Sequence, residues 1–277
     1  MDKDLHSIQE ARRLIEEAHS AWKRFERFSA EQVETVLQAI SSAGIAHAET
    51  LARIAVDETG FGRVEDKTTK NIFCARDVYE AIRPLKTVGI VSEDSQTKIL
   101  EVASPVGVIA GIIPSTNPTS TTIYKALIAL KGRNAIVFSP HPSAVGCISE
   151  TARIVREAAE GAGAPPGVVS CMKTPTMEGT NELMTNRGTA LILATGGPGL
   201  VRAAYSAGKP AFGVGPGNVP AYIERTANVG RAVSHILTGK CFDNGTLCSS
   251  EQSIIVDDVI EENVLHELRR QGAHVCN

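Results

Sequence analysis

The 277 residues hold no uncharged apolar run long enough to span a membrane. The opening MDKDLHSIQEARRLIEEAHSAW is a charged amphipathic segment, unlike a secretory signal. No membrane partner is expected, and the cytoplasm is the expected location. Charge of one sign is lacking too: the net charge is −3, and no basic cluster is interleaved with aromatics. That excludes a polyanion-binding surface, and nucleic acid as a partner with it. Six cysteines (74, 147, 171, 241, 248 and 276) show neither CxxC pairs nor dense spacing, which argues against a disulfide framework and a zinc ribbon and reads as reduced thiols. Seven histidines show no HExxH and no paired ligand spacing, so no metal is expected. Internal repeats, low-complexity linkers and a GxGxxG fingerprint after the first strand-like run are all missing.

What is present is apolar periodicity. At 43% hydrophobic the chain can bury a sizeable core, as one large α/β domain or as one domain plus the start of another. Ile8, Ala11, Leu14, Ile15, Ala18, Trp22 and Phe25 recur at helical spacing, Val33, Val36, Leu37 and Ile40 continue in a second helix, and a third runs to Thr59-Gly60. With a stretch from about Val64 to Ile82, the first eighty residues form a helical layer. From Val106 the pattern changes to short apolar runs, VGVIAGII, AIVF, GVVSC, ALILA and PAFGV, separated by helical stretches. These predict βαβ units around a parallel sheet. A helix after Glu224, a strand around Ser253 to Val256 and a last helix to about Arg270 complete the expected order.

The candidate chemistry starts at Cys248, in FDNGTLCSSEQ, where a thiol just past a Gly turn and before polar residues is placed to react. Packing explains most free cysteines, so the run alone is weak. Cys241 is the rival nucleophile, but it ends a helical pattern, where packing is the simpler reading. Asn117, flanked by Pro114 and Pro118, reads from the residues alone as a turn or cap. Thr195-Gly196-Gly197-Pro198-Gly199 follows a strand run and opens a helix, so its N–H groups could face a pyrophosphate. Tyr205-Ser-Ala-Gly-Lys209 fits a YxxxK pattern, which is read as coincidental because Gly208 and Pro210 break the helix that would align the pair.

The strings IPSTNPTSTTIYKALIALKGRNAIVFSPHPSA, LILATGGPGLVRAAYSAGKPAFGVGPGNVPAYIE and CFDNGTLCSSEQ make the chain resemble the aldehyde dehydrogenase superfamily, and within it the CoA-acylating acetaldehyde dehydrogenases. The resemblance implies a Rossmann-like parallel sheet of that fold under an N-terminal helical layer. It places the helices and dinucleotide-binding domain in residues 1–240 and the beginning of a catalytic domain in 241–277. It implies a thioester on Cys248, with Asn117 donating to the oxyanion. It implies NAD, with NADP possible, lined by Ile113, Pro114, Ser115, Thr116, Asn117, Pro118, Ser139, Gly196, Gly197 and Gly215. Many hydrolytic relatives present a Lys to the adenosine ribose where Ser139-Pro140-His141-Pro142 stands, and its absence leaves NAD versus NADP open. CoA is the implied co-substrate, a small aldehyde or acyl-CoA the partner, a homo-oligomer the assembly, and a bacterial microcompartment a second possible location. Anchored on Pro220, the general-base Glu of hydrolytic relatives falls on Val214, or on Gly213 after a slip of one; neither can take a proton from water. The competing readings are a hydrolytic enzyme and a non-catalytic cofactor-binding fragment. Because 29 residues follow Cys248 and relatives continue further, the sequence is expected to be a truncated form with little turnover of its own.

Overall fold

In the computed structural model, residues 2–276 are described. Helix α1 (Lys3–Phe25) starts at Asp2, whose carboxylate accepts from the Asp4 N–H, and buries Ala11, Leu14, Ile15, Ala18 and Phe25 along one stripe. Helix α2 (Ala30–Ala46) opens on a reciprocal capping box between Ser29 and Gln32. Helix α3 (Ala48–Thr59) ends at Gly60, whose φ of 70° is the left-handed turn that glycine adopts without steric cost. The helical stretch expected over 64–82 is divided: α4 (Val64–Ile72) and α5 (Val78–Ile82) flank a five-residue π-helical segment, Phe73–Asp77. An antiparallel hairpin of β1 (Gly89–Asp94) and β2 (Ile99–Ala103) follows, in a region where the sequence pattern suggests no element.

The remaining elements alternate as expected: β3 (Val108–Ile113), α6 (Pro118–Lys131), β4 (Ala135–Pro140), α7 (Val145–Gly161), β5 (Val169–Cys171), α8 (Met177–Thr185), β6 (Thr189–Thr195), α9 (Pro198–Tyr205) and β7 (Ala211–Val214). The five strands form one parallel sheet in the order β5-β4-β3-β6-β7. All five apolar runs are therefore strands of the expected sheet. Strands β3 and β4 are buried along their whole length, which is why their sequences are continuous apolar runs and not alternating ones. Each large aliphatic side chain fully buried there stabilises by about 1.5–3 kcal/mol. A methyl on Gly111 would meet the Phe138 ring at 2.8 Å, so β3 and β4 interlock without spare volume.

Two compact units result, one ending at Gly215 and one beginning at Pro216. The division expected at 240/241 falls inside the second unit, at the last residue of α10 (Val229–Cys241). That unit also contains β8 (Val219–Ile223), β9 (Glu251–Val256) and α11 (Glu261–Arg270), around a small core of Ile223, Val233 and Val264. Strands β8 and β9 pair in parallel across the α10 crossover. Among the described residues, no helix is long and apolar enough to cross a membrane.

Candidate active site

Strand order sets the first location. The chain leaves β3 outward through β4 and β5, then crosses back to β6 and β7, so the direction reverses between β3 and β6. Beyond the carboxyl ends of two such strands lies the crevice in which open α/β sheets bind ligands. Ile113 ends β3 there, Pro114 to Asn117 make the turn, and Pro118 opens α6 at its first position, where a missing N–H costs nothing. Asn117 is the helix N-cap residue, yet its side chain makes no capping bond. Its Oδ1 accepts instead from Lys70 Nζ at 2.5 Å, and its Nδ2 donates to Thr116 Oγ1 at 3.2 Å. The turn-or-cap reading of Asn117 thus holds for its backbone and not for its amide.

At the end of β6, the Gly196 N–H donates to the Val214 carbonyl at 3.1 Å, which ties the 195–199 turn to the end of β7. A methyl on Gly196 would lie 2.6 Å from Leu200, while nothing stands within 4 Å of one on Gly197. Space is therefore open beside Gly197, the N-cap residue of α9. Gly215 adjoins Gly196: a methyl on Gly215 would lie 3.8 Å from the Gly196 carbonyl oxygen, so these turn residues sit together. Val214 is half exposed and apolar. Ser139, the penultimate residue of β4, is buried, and its Oγ lies 2.7 Å from Thr180 Oγ1. Tyr205 is the last residue of α9 and Lys209 lies past it; the tyrosine hydroxyl accepts from the Gly213 N–H at 3.1 Å, holding the edge strand.

Sequence reasoning missed the buried lysines around this turn. Lys125, 2% exposed on α6, donates to the Ile112 and Leu193 carbonyls at 2.7 Å each and so bridges β3 and β6 at the point of reversal. Burial pushes its ammonium down to about 7. Lys67 donates to the Thr116 carbonyl at 2.8 Å. The available signal was positional: Lys67, Lys70 and Asn71 occupy the inward stripe of α4, where lysine is unusual.

In the second unit, Asp243, Asn244 and Gly245 take φ of 49°, 55° and 71° in succession. These are the residue types that tolerate the left-handed region. The Ser250 N–H then donates to the Leu247 carbonyl at 3.2 Å, closing a turn whose two central residues are Cys248 and Ser249. Cys248 is exposed at the crest of that turn. From behind, the Gly217 N–H donates to the Cys248 carbonyl at 3.1 Å, and a methyl on Gly217 would lie 2.3 Å from that oxygen. Cys241 is exposed as well, so packing does not account for it. The three thiols of the first unit are poor nucleophiles: burial pushes Cys74 and Cys171 up to about 12 and drives Cys147 in the same direction.

Comparison with known proteins covers almost the whole chain. The bifunctional aldehyde-alcohol dehydrogenase AdhE of Escherichia coli K12 is 45% identical over 269 residues, 97% of this chain and 30% of that protein. The crystal structure of an acetylating aldehyde dehydrogenase from Geobacillus thermoglucosidasius superposes with a TM-score of 0.95 at 57% identity, covering 100% of this chain and 61% of that one. A Rhodopseudomonas palustris propionaldehyde dehydrogenase, solved with bound CoA and an acylated cysteine, matches at 30% identity and a TM-score of 0.86, over 96% of this chain and 61% of its own. The chain thus spans about a third of the E. coli protein and three fifths of the two solved structures. The sequence profile of the aldehyde dehydrogenase family matches residues 5–275, across the helical layer, the parallel sheet and the Cys248 turn alike, and the chain belongs to that family.

Proposed function

We propose that this chain carries the nucleophile and nucleotide platform of a CoA-acylating aldehyde dehydrogenase. The reaction interconverts a short-chain aldehyde, acetaldehyde foremost, CoA and NAD(P)+ with acyl-CoA and NAD(P)H. The Cys248 thiolate adds to the carbonyl carbon, forming a C–S bond and moving the C=O pair onto oxygen, where the Asn117 amide donates to it. Bound NAD(P)+ supplies the acceptor for the hydride that leaves this carbon. A thioester remains on Cys248. The CoA thiolate then attacks it, and the Cys248 thiolate departs with the C–S electron pair. Ile113 to Pro118, Gly196, Gly197 and Gly215 are the residues we assign to the dinucleotide, supported by their position at the carboxyl ends of β3, β6 and β7 and by the open space beside Gly197 at the start of α9; Ser139 is assigned to the same set from β4.

The observation that carries the acylating reading, over the hydrolytic one, is Val214. An apolar side chain at the register of the water-activating carboxylate leaves the thioester to a stronger nucleophile than water, and a thiolate is one. Free thiols fit a reducing compartment, the cytoplasm or a microcompartment within it. The exposed apolar hairpin β1–β2 supports assembly into a homo-oligomer. Pre-steady-state NADH formation with and without CoA tests the function. Without CoA, one NADH per active site is expected and then a stall, and Val214→Glu should restore slow turnover. Steady multiple turnover of the unmodified protein without CoA would sink the acylating reading.

A further inference from the structure

One stripe of α4 is polar and buried. Lys67, Lys70 and Asn71 stand at i, i+3 and i+4, the spacing that stacks side chains on one helix face, and are 2%, 8% and 0% exposed. Each meets a different atom of the segment that follows β3. Lys67 Nζ donates to the Thr116 carbonyl at 2.8 Å, Lys70 Nζ donates to Asn117 Oδ1 at 2.5 Å, and Asn71 Oδ1 accepts from Thr119 Oγ1 at 2.8 Å. Asn71 is anchored in turn, donating through Nδ2 to the Ala48 carbonyl at 2.9 Å. Burying two ammonium groups is costly, and an apolar stripe would hold a turn at less expense. What lysine adds at this place is a donor that never accepts.

A carboxamide has two ends of similar shape and opposite hydrogen-bond character, and packing alone does not tell them apart. Because an ammonium only donates, the end of Asn117 that faces Lys70 must be the oxygen. The geometry points to Lys70 as the positioning residue of the oxyanion site: by holding Asn117 Oδ1 it keeps the Nδ2–H end as the one presented to the reacting oxygen. Its charge also polarises the amide, which strengthens that N–H as a donor. A flipped amide would offer oxygen to oxyanion, exchanging attraction for repulsion. This inference rests on the reading of Asn117 as an oxyanion donor and Cys248 as the nucleophile.

The test uses the 277-residue chain with propionyl-CoA, following acylation of Cys248 by intact mass from pH 6 to 10, with circular dichroism to confirm folding. Asn117→Ala should slow acylation by on the order of a hundredfold. Lys70→Met should slow it to within about threefold of Asn117→Ala, and the double variant should be no slower than either single one, as expected for two residues acting as a unit. Lys70→Arg, still an obligate donor, should recover most of the rate. Lys70→Gln, which can donate or accept, should fall between and decides the matter if Lys70→Met does not fold. The pH midpoint of acylation should stay where it is in all of them. A Lys70→Met rate equal to wild type beside a slow Asn117→Ala, an additive double variant, or a midpoint displaced by Lys70→Met would each overturn the inference, the last because it would put Lys70 to work on the thiol. A wild-type chain that propionyl-CoA leaves unmodified, or an Asn117→Ala as fast as wild type, would instead remove the reading on which the inference stands.

Discussion

Of the three exposed thiols of the second unit, Cys241 and Cys248 flank the same loop and differ in backbone setting. Cys241 closes a helix, whereas Cys248 crowns a turn reached through three left-handed residues and held from behind by the Gly217 N–H. Cys248→Ala should therefore lose the acyl adduct completely, while Cys241→Ala keeps it at nearly the wild-type rate; peptide mapping of the adduct decides, and label on Cys241 would reverse the assignment. Lys125 makes a prediction about stability. Burial lowers its ammonium from the ordinary 10.5 to about 7, so between those values the unfolded chain holds a proton that the folded chain has released. Stability should rise with pH through this window and be flat for this group below about 7, where both states are charged. The gain should be on the order of a few kcal/mol at most, since the two carbonyls that accept from Lys125 favour the ammonium and offset part of the desolvation. Lys125→Met should abolish the rise, measured by urea unfolding at pH 6.5, 8 and 9.5.

Among the elements, the approach to β8 depends on a glycine that admits another backbone. At Gly217 the neighbour is the Cys248 carbonyl itself, and a methyl group 2.3 Å from it has nowhere to go. Gly217→Ala should break the bond from its N–H to that carbonyl and displace the turn, costing about 2–4 kcal/mol from overpacking and the lost hydrogen bond together. The rate of Cys248 alkylation by iodoacetamide should change with it. Gly199→Ala, where a methyl meets nothing within 4 Å, should leave that rate alone. Equal alkylation kinetics in Gly217→Ala and wild type would show that the bond does not hold the turn.

For the molecule as a whole, the β1–β2 hairpin is the feature that its own fold leaves unexplained. Ile90 pairs with Val102, and Leu100 shares their face, yet all three are about half exposed or more. Apolar surface of this kind on an isolated hairpin is a common mark of association. Val102→Glu with Leu100→Glu should lower the mass measured by light scattering at micromolar concentration while leaving the far-ultraviolet circular dichroism unchanged. A mass indifferent to both substitutions would show that the hairpin is not a surface of self-association.

Continuous apolar runs separated by helical periods were enough to read five strands, their parallel arrangement and the helical layer, because burial on both faces of a parallel sheet forces that pattern on the sequence. The turns before Cys248 and at Gly196-Gly197 were legible for a related reason: backbone that must turn sharply or approach another chain segment closely needs Gly, Asn or Asp, and these leave a mark. The β1–β2 hairpin was not legible, since its partly charged and exposed strands carry no burial pattern. Nor was the role of α4. The i, i+3, i+4 spacing of Lys67, Lys70 and Asn71 is visible in the sequence, but only the packing of that helix against the segment after β3 turns the two lysines inward and brings one of them to the amide of Asn117, 47 residues away. Local sequence encodes which backbone shapes are allowed, while the pairing of a buried charge with a distant amide depends on which surfaces tertiary packing brings together.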